Sequence, residues 1–337
     1  MEANSTVVGG GRSVLERSPL HRLPDRLLKW GLTGLAVAIL ALIAYFFIRL
    51  IGQSSSTFNQ FGLNFVFSNH WAPQANIYKA AAMLVGTLIT SATAMLVGVP
   101  VAVATALYLT EICPRRARTP LSLLVDLLAA VPSVVYGLWG VFFLGPKLEG
   151  AERWFANTFS FIPWFGGGAS TIAPTNYFIA GLILAIMILP IVSAISREVL
   201  STVPSEHREA SLALGATRWE MIRTAVLPEA RPGIVGASML GLGRALGETI
   251  AVVLVIGDAP DIGKHWFDQG YTLASVIANE FGEATGLHRS ALFAAGLVLF
   301  VLTLLVNIVA RMFVTRSARG KPHPPLDGGQ LMAGGVV

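Results

Sequence analysis

The sequence predicts an all-α integral membrane protein with six transmembrane helices, and three observations predict it. Of its 337 residues, 54% are hydrophobic and only 13% are charged, with a mean hydropathy of +0.65. That is too apolar for a soluble domain of this length. The apolar residues fall in long runs, and about 20 residues at about 1.5 Å each suffice to cross a hydrocarbon core of roughly 30 Å. The lysines and arginines, finally, collect in alternate connections between those runs, as they do where one side of a membrane retains positive loops.

Residues 1–29 form a polar, basic arm with Arg12, Arg17, Arg22, Arg26 and Lys29 and no apolar period. The run from Gly31 to Ile51 is longer than a signal-peptide core and lacks a small-x-small cleavage site, so it reads as the first span. With the aromatic stretch of Phe58, Phe61, Phe65, Phe67 and Trp71, suited to the lipid headgroup zone, it makes up residues 30–79. Residues 80–314 form a core of five further spans. The second, about Ala80 to Thr110, is longer than a bilayer needs and is kinked by Pro100. Its Thr87, Thr90, Ser91 and Thr93 are expected to bond back to their own helix or to a neighbour.

The basic loop CPRRARTP leads to a third span, about Leu121 to Leu144, with Pro132 and Ser133 in its middle and Tyr136 one turn on. A proline there frees a carbonyl that needs a partner in protein or water, which makes this helix either a pathway wall or an ordinary packing kink. Gly145 to Asn176, with Trp154, Phe155, Phe159, Phe161, Trp164, Phe165 and Gly166 to Gly168, reads as an outer interfacial loop. Tyr177 to Ile195 is the fourth span and Gly233 to Ile256 the fifth. In the polar segment Asp258 to Arg289, YTLASVIANEF places Leu273, Val276, Ile277 and Phe281 at helical spacing, a short amphipathic helix against the bundle. Ser290 to Val314 is the sixth span and residues 315–337 are a basic tail.

Seventeen basic residues lie on the side of the termini and the 196–232 connector, against six (Arg49, Lys79, Lys147, Arg153, Lys264, Arg289) on the other. Both termini and the connector are therefore expected in the cytoplasm. The positive balance reports orientation, not a nucleic-acid partner. Cys113 is the single cysteine, so no disulfide framework or cysteine metal site is available.

The fifth span carries Arg244 and Glu248. A charge at mid-membrane costs at least about 2.5–3.5 kcal/mol, so it is retained when paired, wet or used. Four residues apart on one helix, the two would lie on one face within reach of each other, about 18 and 24 Å above Pro232. One reading is a structural ion pair between helices. The other makes Arg244 a station for an anion, with Glu248 neutralising it while no anion is present. Gly241, Gly243 and Gly247 flank the pair and suit a close helix approach.

The connector opens with Pro204 and Ser205, with Glu206 in the first turn of a short helix that Gly215 ends. A second helix is expected from about Thr217 to Val226, stopped by Pro228. Such a bent pair is a solvated elbow or a docking element. Its residues, EASLALGATRWEMIRTAVLP, resemble the EAA signature of the membrane subunits of ATP-binding-cassette importers. Glu209, Ala210, Gly215, Leu227 and Pro228 match, Ser211 replaces the second alanine, and Ala225 stands where the family has isoleucine. GLGRALGETIAVVLVIG, VPSVVYGLWG and YTLASVIANEF are together similar to membrane subunits of the phosphate-specific importer, its C-type permease more than its A-type. The similarity runs from about Trp71 to Arg311 and departs from the family at IYKAAAMLVGT, where a glycine is expected near Tyr78.

The resemblance implies a type I ABC importer permease bundle with a cytoplasmic coupling helix at about 205–217, in a bacterial cell (inner) membrane. The chain would pair with an A-type permease subunit (PstA-like), receive phosphate from an extracytoplasmic phosphate-binding protein (PstS-like), and dock two ATPase subunits (PstB-like). Coupling would pass through Glu209, Ala210, Ser211 and Gly215. Phosphate would pass Arg244, Glu248 and Thr249, with Ser133 and Tyr136 alongside; a guanidinium offers an anion two parallel donors. No cofactor is implied for this chain, and ATP and Mg belong to the ATPase partners.

No G-x-x-x-x-G-K-[ST] motif occurs: ahead of Gly263 and Lys264 the required glycine is Asp258, and His265 follows. An H-E-x-x-H motif is absent too. An intramembrane serine protease built on Ser238 would need a histidine at matching depth, and His21, His70, His207, His265, His288 and His323 all fall outside the expected spans. Alternatives of the same architecture are a sulfate or molybdate permease; a passive channel or scaffold is a different class.

Overall fold

The computed structural model describes residues 22–162, 164–165 and 172–318. The arm before Arg22, the Gly166 to Gly168 run and the tail beyond Ala318 lie outside the described residues. Within them the fold is all-α, with thirteen α-helices, no strand and three isolated bridges. The chain divides into two compact units, Met1–Gly52 and Gln53–Val337. The division falls inside α1 (Arg22–Phe61), the continuous helix of the first expected span.

Four helical stretches are long and apolar enough to cross a membrane: Leu27–Phe61, Ala81–Ile112, Tyr177–Ser201 and Gly286–Met312. In the larger unit the core is the seam between α3 (Ala81–Leu107) and α7 (Tyr177–Ser201). Small residues allow that approach. A Cβ on Gly181 would lie 2.5 Å from the Thr93 Cβ, and one on Gly241 of α10 (Leu227–Gly247) would lie 2.6 Å from a Val192 methyl. Thr87, Thr90, Ser91 and Thr93 bond to carbonyls one turn back, at 2.6–2.8 Å, as their place on an apolar helix requires.

The third expected span is not one helix. α4 (Arg115–Leu128), which already begins within the CPRRARTP loop, is bent by 85° from the helical run that starts with α5 (Ser133–Trp139). Pro132 causes the break: it has no N–H for a continuing ladder and pushes Val131 out of the helical region. The expected outer loop after Leu144 in turn holds α6 (Gly145–Thr158), reached through a π turn at Gly140–Leu144.

The fifth expected span is also interrupted. α10 ends at Gly247, Glu248 is extended (φ −71°, ψ 129°), and the six-residue α11 (Ile250–Val255) follows. At its other end Pro228 does not stop a helix. It occupies the first turn of α10, where a missing N–H costs no ladder bond. The connector helices α8 (Ser205–Ala213) and α9 (Arg218–Met221) therefore feed into α10 through a π turn at Ile222–Val226. Gly215 has the left-handed φ of +86° expected of a helix terminator, and Thr217 and Glu220 form a reciprocal capping box.

One end of the larger unit is closed by α2 (Asn64–Phe67), α12 (Leu273–Glu280) and the start of α13 (Gly286–Ala318). Phe65 and Trp71, expected among lipid headgroups, are instead buried here with Tyr78, Leu273 and Val276. The Trp71 indole donates to both Glu280 oxygens at 3.2 and 3.0 Å, and His288 lies 2.7 Å from the same carboxylate. Here α12 packs by its buried Leu273, Ala274, Ser275 and Val276; of the expected stripe Leu273 and Val276 are buried and Ile277 partly so, while Phe281 is exposed.

Candidate functional site: a broken-helix cavity and an exposed elbow

The break at Ala129–Pro132 and the last turn of α10 meet at a cavity of about 50 Å³. Leu128, Ala129, Val131, Tyr136, Met187, Ile191 and Arg244 line it. The break leaves backbone carbonyls without a helical donor, and Tyr136 meets one of them: its hydroxyl donates to the Leu128 carbonyl at 2.7 Å. Tyr136 itself is buried. Arg244 belongs to the last turn of α10, the carbonyl end of the helix dipole, where a cation is favoured.

Of the residues singled out from the sequence, the cavity brings together Arg244 and Tyr136. Ser133, half-buried at the start of α5, Glu248 and Thr249 do not line it. Nor does the structure pair Arg244 with Glu248. The spacing that puts residues i and i+4 on one face requires a continuous helix, and this one stops between them. The Glu248 carboxylate instead accepts from the Ala251 N–H at 3.4 Å, over the first turn of α11, and the Thr249 hydroxyl donates to the Gly247 carbonyl at 3.2 Å. The expected Arg244–Glu248 ion pair is therefore not formed among the described residues. Arg244 has no ion-pair partner among the described residues.

Met187 and Ile191, on α7, were not picked out from the sequence, since nothing but apolar spacing marks them. Ser238, the alternative nucleophile, donates to the Ile234 carbonyl of its own helix at 2.9 Å. His288 does enter the first turn of α13, unlike its expected place outside a span, but it engages Glu280 and stacks on Tyr78.

The elbow presents the other set. Glu209, Ala210 and Gly215 are exposed and Ser211 half-buried, while Leu214 at the bend is 89% exposed and Trp219 63%. Leu214 and Trp219 thus leave apolar surface open beside the capped turn at Thr217.

A helical bundle with interrupted spans, a charged residue at a helix break and a bent helix pair held outside it defines a transporter permease subunit. Residues 98–319 match the family described as binding-protein-dependent transport system inner membrane component. The phosphate transport system permease protein PstC of Pasteurella multocida is 39% identical over 301 residues, covering 88% of this chain and 93% of that one. Its counterpart in Mesorhizobium japonicum is 41% identical over 284 residues (83% and 87%), and PstC 2 of Mycobacterium tuberculosis is 49% identical over 219 residues (63% and 67%). The chain belongs to the binding-protein-dependent inner membrane component family, in the branch of the PstC permeases. A solved bacterial alginate ABC transporter with its periplasmic protein aligns with a TM-score of 0.59 at 16% identity, over 88% of this chain and 99% of that one. At that identity the likeness concerns the fold, a type I ABC importer permease.

Proposed function

We propose that this chain is a membrane subunit of an ATP-driven importer that moves inorganic phosphate into the cytoplasm, forming half of the translocation pathway. The reading is supported by the relatives' assignment as phosphate transport permeases. It is carried by one observation: an arginine without a counter-charge among the described residues, in the wall of a cavity at a helix break. The bent pair of α4 and the run from α5 counts as one crossing, and α10 with α11 as another, giving six. Both termini and the elbow face the cytoplasm, following the distribution of basic residues.

In this reading phosphate meets Arg244 beside Tyr136, with Ser133, Glu248 and Thr249 along the same route. Glu209, Ala210, Ser211 and Gly215 dock an ATPase subunit, one of two, and an A-type permease completes the pathway. A phosphate-binding protein delivers the ion on the far side. The chain has no cofactor of its own; ATP and Mg are bound, and ATP hydrolysed, by the ATPase subunits.

The test is labelled phosphate uptake by the reconstituted complex. Arg244→Lys keeps the charge and loses the two-pronged donor, so uptake falls by about tenfold or more, the worth of about 1.4 kcal/mol. Wild-type uptake in both Arg244→Lys and Arg244→Ala would remove the pathway assignment. Uptake of sulfate in place of phosphate would move the chain to another oxyanion. Docking is read by co-purification, which a Glu209→Ala/Gly215→Ala double variant should lose.

A further inference from the structure

The attachments of α8 to the rest of the bundle carry an inference that rests on the docking role proposed for that helix. Arg208 is the neighbour of Glu209 in sequence but is turned the other way. Its side chain is 22% exposed, and its guanidinium makes three contacts on two other elements. Nη1 donates to the Val203 carbonyl at 2.5 Å, and Nη2 donates to the Leu200 carbonyl at 2.8 Å and to the Glu111 carboxylate at 3.1 Å. Leu200 is in the last turn of α7, and Val203 follows it. Glu111, its side chain only 9% exposed, sits in the π turn Tyr108–Ile112 that continues α3.

One planar, rigid fork thus joins α8 to the ends of both helices of the core seam. A cation at the carbonyl end of α7 is explained by the helix dipole and by the need to satisfy terminal carbonyls. That local role does not require Glu111, a nearly buried carboxylate contributed by a different helix. Keeping it there is costly unless its partner stays in place. Behind the pair lies an apolar cluster of Leu200, Val203, Met221, Ile222, Val226 and Ala230, so the joint is packed as well as bonded. Two π turns, Tyr108–Ile112 and Ile222–Val226, adjoin it, the kind of irregular turn that recurs at functional sites.

We infer that Arg208, held by Glu111, is the positioning residue that transmits displacement of α8 to α3 and α7. Residues on the exposed face of α8 receive the motion, and the inward-facing arginine passes it to the seam. Without the fork α8 still binds its partner, but its movement is spent locally and the bundle does not follow.

The experiment uses the whole reconstituted transporter, with labelled phosphate uptake and ATP hydrolysis measured on the same preparation. Wild type is compared with Glu111→Gln, Arg208→Gln, Arg208→Lys and the double glutamine variant. The expected result is retained co-purification and hydrolysis, with phosphate moved per ATP reduced by about 5- to 100-fold, within the usual range of coupling between two sites. The double variant should be no worse than the weaker single, since both remove one interaction. Arg208→Lys should fall between, because lysine keeps the charge without the fork. A wild-type ratio in both Glu111→Gln and Arg208→Gln would overturn the inference and leave docking intact. No ATPase bound to the wild-type chain would overturn the docking reading and this inference with it. If Arg208→Gln does not accumulate in the membrane, the near-isosteric Glu111→Gln decides the matter by the same ratio.

Discussion

Replacing Thr87 by valine keeps the shape of the side chain and removes one oxygen. That oxygen donates to the Met83 carbonyl at 2.7 Å and accepts from the Leu273 N–H at 3.0 Å. Both residues are buried, Thr87 at 2% and Leu273 at 0% exposure. Leu273 is the first residue of α12, where N–H groups have no helical acceptor. Thr272 serves Ser275 in a capping box and leaves Leu273 to Thr87 alone. In the valine variant a buried donor goes unpaired at a cost of about 1–3 kcal/mol. Domains of about 150–250 residues lose about 2–4 °C per kcal/mol, so in this longer chain of 337 residues the melting temperature falls by less than about 12 °C. The specific readout is hydrogen exchange at the Leu273 amide, which should speed up by about 5- to 150-fold, that energy expressed as a population of the open form. Thr87→Ser keeps the acceptor and should retain the protection. An amide as protected in Thr87→Val as in wild type would refute the account of how α12 is held to α3.

Three other outcomes follow from the same geometry. Gly86→Ala would place a methyl carbon 2.0 Å from the Tyr271 carbonyl oxygen, so helix and loop must part; a loss of about 1–3 kcal/mol or more, read by thermal unfolding in detergent, is expected. Asp258, in the loop after α11, is pushed up to about 6 from an ordinary 3.8, first by burial and then by the Glu280 charge. The folded state therefore holds a proton that the unfolded state has lost between those values, and stability falls as pH rises from about 4 to beyond 6. Asp258→Asn, which tolerates the residue's left-handed backbone (φ 54°), should flatten that part of the melting-temperature profile and stabilise the protein at pH 8. Arg244→Lys should change the unfolding free energy by no more than about 0.5 kcal/mol, read as an almost unmoved melting temperature, because no ion pair among the described residues is lost.

Much of the fold is legible because apolar runs of sufficient length leave few alternatives. The threonines of α3 bond back to their own helix, Gly215 closes α8, and the Leu273, Val276, Ile277 stripe puts α12 on the bundle. What hydropathy does not report is whether a run is one helix. Pro132 is visible in the sequence, yet the size of the 85° bend it makes and the hydrogen bond that the Tyr136 hydroxyl donates to the Leu128 carbonyl are not. The helical spacing of Glu149 and Arg153, which form an ion pair in α6, was a signal for that helix within a segment whose aromatics suggested a loop. Phe65 and Trp71 illustrate the converse: their irregular spacing excluded a span, but composition could not distinguish lipid headgroups from a packed cap.

The site was legible residue by residue and not as a pair. Spacing alone joins Arg244 to Glu248 only if α10 continues, and α10 ends at Gly247, with Glu248 extended beyond it. Once the helix ends there, Glu248 turns to the start of α11 and the guanidinium is left to the cavity. An unpaired arginine within a membrane bundle is tolerated when water, another chain or a ligand meets it. A contact made by the paired permease would be part of the assembled structure, so losing it would lower the stability of the complex along with transport. Water alone would accept lysine as readily as arginine. Only an oxyanion held by the planar fork of the guanidinium predicts that Arg244→Lys spares stability and costs uptake, so the two measurements on one variant separate the three occupants of this cavity.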